Sequence, residues 1–109
     1  MMKKIYLACP YAHPDESVRE SRFNAVSKKA AELMNRGHVV FSPISHSAPI
    51  DRYLESKGHE FWMAQDLPLL AVCDEMWVLA LPGWDQSTGV KTEWEYAKSK
   101  GIPVRIIFE

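Results

Sequence analysis

Only two cysteines occur in the 109 residues, Cys9 and Cys73, and they form no CxxC pair. This argues against a disulfide framework or a cysteine-ligated zinc site and points to two buried thiols in a reducing, cytoplasmic setting. His13, His38, His46 and His59 share no metal-ligand spacing, so neither a metal nor a cofactor is expected. No run approaches the ~18 apolar residues of a membrane span. The stretch Ile5-Tyr6-Leu7-Ala8-Cys9, stopped by Pro10, is too short for the apolar region of a signal peptide. Thirteen Lys plus Arg face fourteen Asp plus Glu, a formal net charge of -1, which speaks against a nucleic-acid polymer or an anionic membrane as partner. GxGxxG, P-loop and GxSxG motifs are missing, as are internal repeats and low-complexity tracts.

What remains is an ordinary globular composition. Apolar residues make up 47% and charged residues 25%, a balance that excludes a disordered chain. The length suits a single domain, residues 1–109, with roughly two thirds of its unfolded surface buried on folding. Ile5–Cys9 reads as a buried strand, and the breaker-rich turn Pro10–Asp15 follows it. Val18, Phe23, Val26, Ala30, Leu33 and Met34 mark one face of a helix that runs to about Arg36 and stops at Gly37. His38–Phe41 is a second strand. Residues 42–58 read as a loop, with a short helical turn near Asp51–Leu54. A helix from Phe61 to about Val72 follows, bent or restarted at Pro68. Glu75–Leu81 is the clearest buried strand, Val90–Lys100 a helix stopped by Gly101, and Pro103–Phe108 a closing strand.

Strand and helix alternate throughout, which predicts an α/β fold: a flavodoxin-like or Rossmann-like parallel sheet of four to five strands, order 2-1-3-4, with helices on both faces. In such sheets ligands bind beyond the carboxyl ends of the strands, where the order switches. The loops converging there carry much of the chain's polar chemistry.

The most informative segment is Asp85–Ala97. On a helical wheel at 100° per residue, Val90, Trp94 and Ala97 form the stripe that packs on the sheet. Glu93 lies about 60° from the stripe's centre and Glu95 roughly 140° on the other side, toward solvent. Glu93 is thus at the margin of the buried face, near a helix start that favours acids; it serves either that helix dipole or a ligand. Ser87, Thr88 and the Gly89 N–H make a polar cradle that suits a phosphate or carboxylate, or an ordinary helix cap. Asp66 is either a solvated helix charge or an acid at the crevice, and Asp74 caps the turn into the third strand. Tyr6 and Tyr11 flank the end of the first strand, where a phenol can bond a carboxylate. His46, in a serine-rich stretch, is a candidate ligand contact. Arg19 and Arg22 are either solvated charges or phosphate contacts. Trp62, Trp84 and Trp94 suit core packing, a ring-stacking pocket or an oligomer interface.

Tyr6-Leu7-Ala8-Cys9-Pro10-Tyr11, the segment Asp66-Leu67…Cys73-Asp74, and Ser87-x-Gly89-Val90-x-x-Glu93-x-x-x-Ala97 together resemble the nucleoside 2-deoxyribosyltransferase superfamily. Within it the chain looks most like the DUF1937 branch, which shares Ser42-Pro43-Ile44-x-His46-Ser47. The Ser-x-Gly-Val-x-x-Glu run is also similar to that of the 2'-deoxynucleoside 5'-phosphate N-hydrolases. The resemblance implies that Glu93 is a nucleophile, Asp66 and Asp85 are assisting acids, and Tyr6 orients Glu93. It implies a substrate contact at Ser87, which matches a 5'-phosphate ligand; Gly89, Pro10, Tyr11 and His46 are the further substrate contacts expected around it. It further implies a homo-oligomer, a dimer or larger, with sites shared between subunits.

The chain departs from the family's pattern at Glu95, where glycine is frequent. It also stops at Glu109 without the Asn-containing segment that completes a neighbouring site in the transferases. The expectation is therefore N-glycosidic cleavage of a nucleoside or nucleotide more than base-for-base transfer. The alternatives are a non-catalytic nucleotide-binding or protein-interaction module using the same crevice, and NAD glycohydrolysis.

Overall fold

A computed structural model describes residues 2–109. Four strands, β1 (Lys4–Ala8), β2 (Val39–Phe41), β3 (Glu75–Leu79) and β4 (Val104–Ile107), form one parallel sheet in the order β2-β1-β3-β4. The helices are α1 (Glu16–Asn35), α2 (Pro43–Asp51), α3 (His59–Leu70) and α4 (Thr88–Ser99), with a 3-10 turn at Trp84–Gln86 before α4. The expected α/β class and strand order are both present. Among the described residues, no helix is long and apolar enough to cross a membrane.

The period-two alternation of a strand divides the core in two. Ile5 and Leu7 face one way and pack with Val26, Ala30 and Leu33 of α1. Tyr6 and Ala8 face the other way, with Leu70 of α3 and Val90 and Ala97 of α4. This division sends the Tyr6 side chain toward α3 and α4. Helix α1 starts where the Asp15 carboxylate accepts the Ser17 N–H at 2.8 Å, an N-cap next to an acidic first turn. Met34, expected on its buried face, is half-exposed at the helix's end.

Three expectations need correction. Residues 42–58 are not all loop: Ser42-Pro43 acts as an N-cap and first-turn proline pair, and it opens α2 despite Pro49 farther along. Serine and proline, read as loop formers, are here helix starters. The turn expected near Asp51–Leu54 follows α2, with the Leu54 N–H bonded to the Asp51 carbonyl at 3.0 Å. Helix α3 also continues through Pro68 as one element instead of restarting there. Finally, β3 ends at Leu79, because the Leu81 N–H turns back to the Leu79 carbonyl at 2.8 Å.

Candidate active site

Beyond the carboxyl ends of β1 and β3 lies a cleft of about 640 Å³. Its walls come from the β1–α1 loop (Tyr11, Ala12, His13), from α2 (Ile44, Ser47, Ala48), from α3 and its approach (Lys57, Gly58, His59, Trp62, Met63), and from the start of α4. Asp66 and Glu93 both line it, and both are 5% exposed.

Helix α4 explains how Glu93 reaches the cleft. Ser87 caps it, its hydroxyl accepting the Val90 N–H at 3.2 Å. Val90 and Ala97 anchor the helix on the sheet, which turns Glu93 inward at the cleft end and leaves Glu95 exposed. The Tyr6 hydroxyl, rising from β1, donates a hydrogen bond to a Glu93 carboxylate oxygen. Burial disfavours the charged carboxylate and pushes its pKa up to about 8; the Tyr6 hydrogen bond opposes this and the nearby Asp66 charge adds to it. Burial and then the Glu93 charge drive the Tyr6 phenol far upward, so it stays protonated as a donor. Burial likewise raises Asp66 to about 6, opposed by His46. Two carboxyls with separated proton affinities thus share one wall. Cys9, also on that wall, is held as a thiol: burial and the Glu93 charge push it up to about 12.

The other expected residues divide. Tyr11, Ser87 and Gly89 line the cleft with Glu93 and Asp66. At Gly89 an added Cβ would meet only the Ser87 hydroxyl, at 3.8 Å, so internal packing does not require glycine there. Three residues are placed elsewhere. Pro10 is fully buried and is not part of the cleft wall. Asp85 is exposed on the 3-10 turn, where its neighbour Gln86 takes the lining position. His46 packs on the Phe41 ring, with centroids 5.7 Å apart, and borders a smaller adjoining cavity.

The sequence reading left Trp62 between core packing, a ring-stacking pocket and an interface, and missed Met63 and His59; all three line the cleft. The His59 ring is 3.1 Å from the Thr92 hydroxyl and ties α3 to α4. Trp62 lies one helical turn before Asp66, and that i,i+4 spacing was the available signal. Arg22 has a role that its charge alone did not show. Its guanidinium donates to the Ala12 carbonyl at 3.1 Å and the Pro82 carbonyl at 3.0 Å, clamping together the two loops that frame the cleft. Gly83 sits beside it with φ +89°, and an added Cβ would lie 3.0 Å from that guanidinium. A left-handed backbone and close approach both call for glycine here. Trp84 and Trp94 stack on each other with centroids 6.3 Å apart and interplanar angle 13°, away from the cleft wall.

Sheet order and cleft together define an α/β protein with a cleft at the topological switch point, the place where open parallel sheets bind small ligands. A family model described as a domain of unknown function (DUF1937) matches residues 3–109, and the chain belongs to that family. It is also similar to a solved structure described as a 2-deoxyribosyltransferase from the psychrotolerant bacterium Bacillus psychrosaccharolyticus. The identity is 29% and the TM-score 0.70, over 96% of this chain and 72% of that one. Both findings place the chain in the nucleoside 2-deoxyribosyltransferase-like superfamily. No curated protein matches it in sequence.

Proposed function

We propose that this protein cleaves the N-glycosidic bond of a nucleoside or nucleoside 5'-phosphate, with Glu93 attacking C1'. One observation carries the reading: a carboxylate buried on a cleft wall, held by a phenol donor, with a second carboxyl of different proton affinity on the same wall. The likeness to a 2-deoxyribosyltransferase supports nucleoside glycosyl chemistry for the fold.

Breaking the C1'–N bond builds positive charge on the sugar and negative charge on the base. Glu93 bonds to C1' as the C1'–N electrons leave with the base, and Asp66 gives the base its proton. Water then attacks C1', Asp66 takes a proton from it, and the Glu93 carboxylate is released. Retaining glycosidases use the same division of labour. The productive arrangement puts the pair's one proton on Asp66, the minor form in the free protein because burial gives Glu93 the higher pKa (about 8 against about 6); Tyr6, by donating to Glu93, raises the share of that form. The Ser87–Gly89 cradle at the start of α4, with Arg19 also lining the cleft, suits the 5' end of the sugar or its phosphate. Asp85 takes no part in this reading. Exposed His13, Lys57 and His59 on the cleft wall leave the intermediate open to water, which favours hydrolysis over transfer.

Incubation with a panel of nucleosides, nucleoside 5'-monophosphates and NAD, followed by chromatography, tests this reading. Free base from at least one nucleoside or nucleotide is expected. A melting-temperature shift with no base released would identify a binding module instead, and free nicotinamide alone would identify an NAD glycohydrolase.

A further inference from the structure

Arg22 of α1 is half-buried and does not line the cleft, yet it bonds both loops that frame it. Its Nη1 donates to the Tyr11 and Ala12 carbonyls at 3.3 and 3.1 Å, and its Nη2 to the Pro82 carbonyl at 3.0 Å. Three carbonyls from two loops suit the planar, forked donor of arginine and not the single ammonium of lysine.

From Pro82 the chain is braced all the way to α4. The Trp84 N–H donates to the Leu81 carbonyl at 3.0 Å, the Gln86 N–H to Gly83 at 3.1 Å and the Ser87 N–H to Trp84 at 3.3 Å. Ser87 then caps α4, and the Trp84 ring stacks on Trp94 of that helix. On the other side of the clamp, Tyr11, Ala12 and His13 line the cleft. Arg19, one turn before Arg22, donates to the His13 carbonyl and lines it as well. The two carboxyls are anchored by other means: Glu93 by Tyr6 and by the packing of Val90 and Ala97, Asp66 by its place within α3.

We propose that Arg22 is a positioning residue for substrate binding, holding the Tyr11–His13 wall and the Ser87–Gly89 cradle in register around the substrate's 5' end. The proposal rests on the N-glycosidase reading above. Arg22 acts through the loops and does not touch substrate. Losing the clamp lets the two walls drift while Glu93 and Asp66 keep their anchors, so the loss falls on KM more than on kcat.

The test measures kcat and KM of the native protein and its variants on the 2'-deoxynucleoside 5'-monophosphate that the native protein cleaves fastest. Arg22→Ala and Arg22→Lys should each raise KM about tenfold or more, as a wall misplaced by about 1 Å can, with a much smaller change in kcat. Guanidinium ion, well below denaturing concentration, should lower the KM of Arg22→Ala toward the native value and leave the native protein unaffected. Gly83→Ala, whose Cβ would lie 3.0 Å from the nitrogen that holds Pro82, should raise KM likewise, and combining it with Arg22→Ala should add little. A native KM in either Arg22 variant overturns the proposal. So does a loss that falls mainly on kcat, or one that guanidinium does not reverse; Arg22 is then a stability residue, and the N-glycosidase reading stands. If the native protein cleaves nucleosides but no nucleotide, the proposal falls alone; if it cleaves neither, both readings fall.

Discussion

The Tyr6 hydroxyl and the Glu93 carboxylate, 87 positions apart in sequence, are joined by a buried hydrogen bond between the sheet and α4. Each residue determines the other's state. Glu93 raises the phenol's pKa, so Tyr6 remains a donor, and that donation lowers the proton affinity that burial gives Glu93. Without this contact, a carboxyl in so dry a place would hold its proton more tightly.

Replacing Tyr6 with Phe keeps the buried ring and removes only the donor. The Glu93 pKa should move above its present value of about 8. Base release near neutral pH should fall on the order of tenfold or more, following the fraction of ionised nucleophile. The alkaline limb of the pH–rate profile should move to higher pH. A profile that drops in height without moving would make Tyr6 a packing residue only.

The native pH–rate profile should be bell-shaped, with limbs near 6 and 8 set by the Asp66–Glu93 pair. Below the lower limb both carboxyls are protonated and no nucleophile exists. Above the upper limb both are ionised and the base leaves without a proton. Measuring kcat/KM from pH 5 to 9.5 checks this.

Stability should depend on pH through the same residue. The folded pKa of Glu93 is raised from 4.5 to about 8, so the folded protein holds a proton that the unfolded chain releases. Its contribution is fully present below about 4.5 and is lost as pH rises toward 8. Glu93→Gln should therefore melt several degrees higher than the native protein at pH 8–9 and show little such gain at pH 4. Thermal melts across this range, for both proteins, give the comparison.

Asp66→Asn preserves size and removes the proton donor. Base release from ordinary nucleosides should fall about 10²–10⁴-fold. An N7-methylpurine nucleoside, whose base departs without needing a proton, should lose much less. Equal losses for both substrates would assign Asp66 to binding.

Much of this architecture was legible because local rules agreed. The alternation within Ile5–Ala8 and the breakers around each element specify the sheet and its crossovers. In α4 the positions of Val90, Ala97 and Glu95 place Glu93 at the cleft margin on the wheel alone. Helix α2 was not legible, since Ser42-Pro43 fits a loop and a helix start equally well in composition. Without α2, the wall formed by Ser47 was invisible too. Asp85 and Gln86 differ by one residue on a 3-10 turn, and spacing along the chain does not say which of them turns inward. The Arg22 clamp reaches Pro82, 60 residues along the chain, a contact that no local pattern encodes.

The most direct test compares base release by Glu93→Gln with that of the native protein on the same substrate, with binding checked by titration. Glu93→Gln should bind the substrate and release no base above background. Release at the native rate would contradict the assignment of Glu93 as nucleophile.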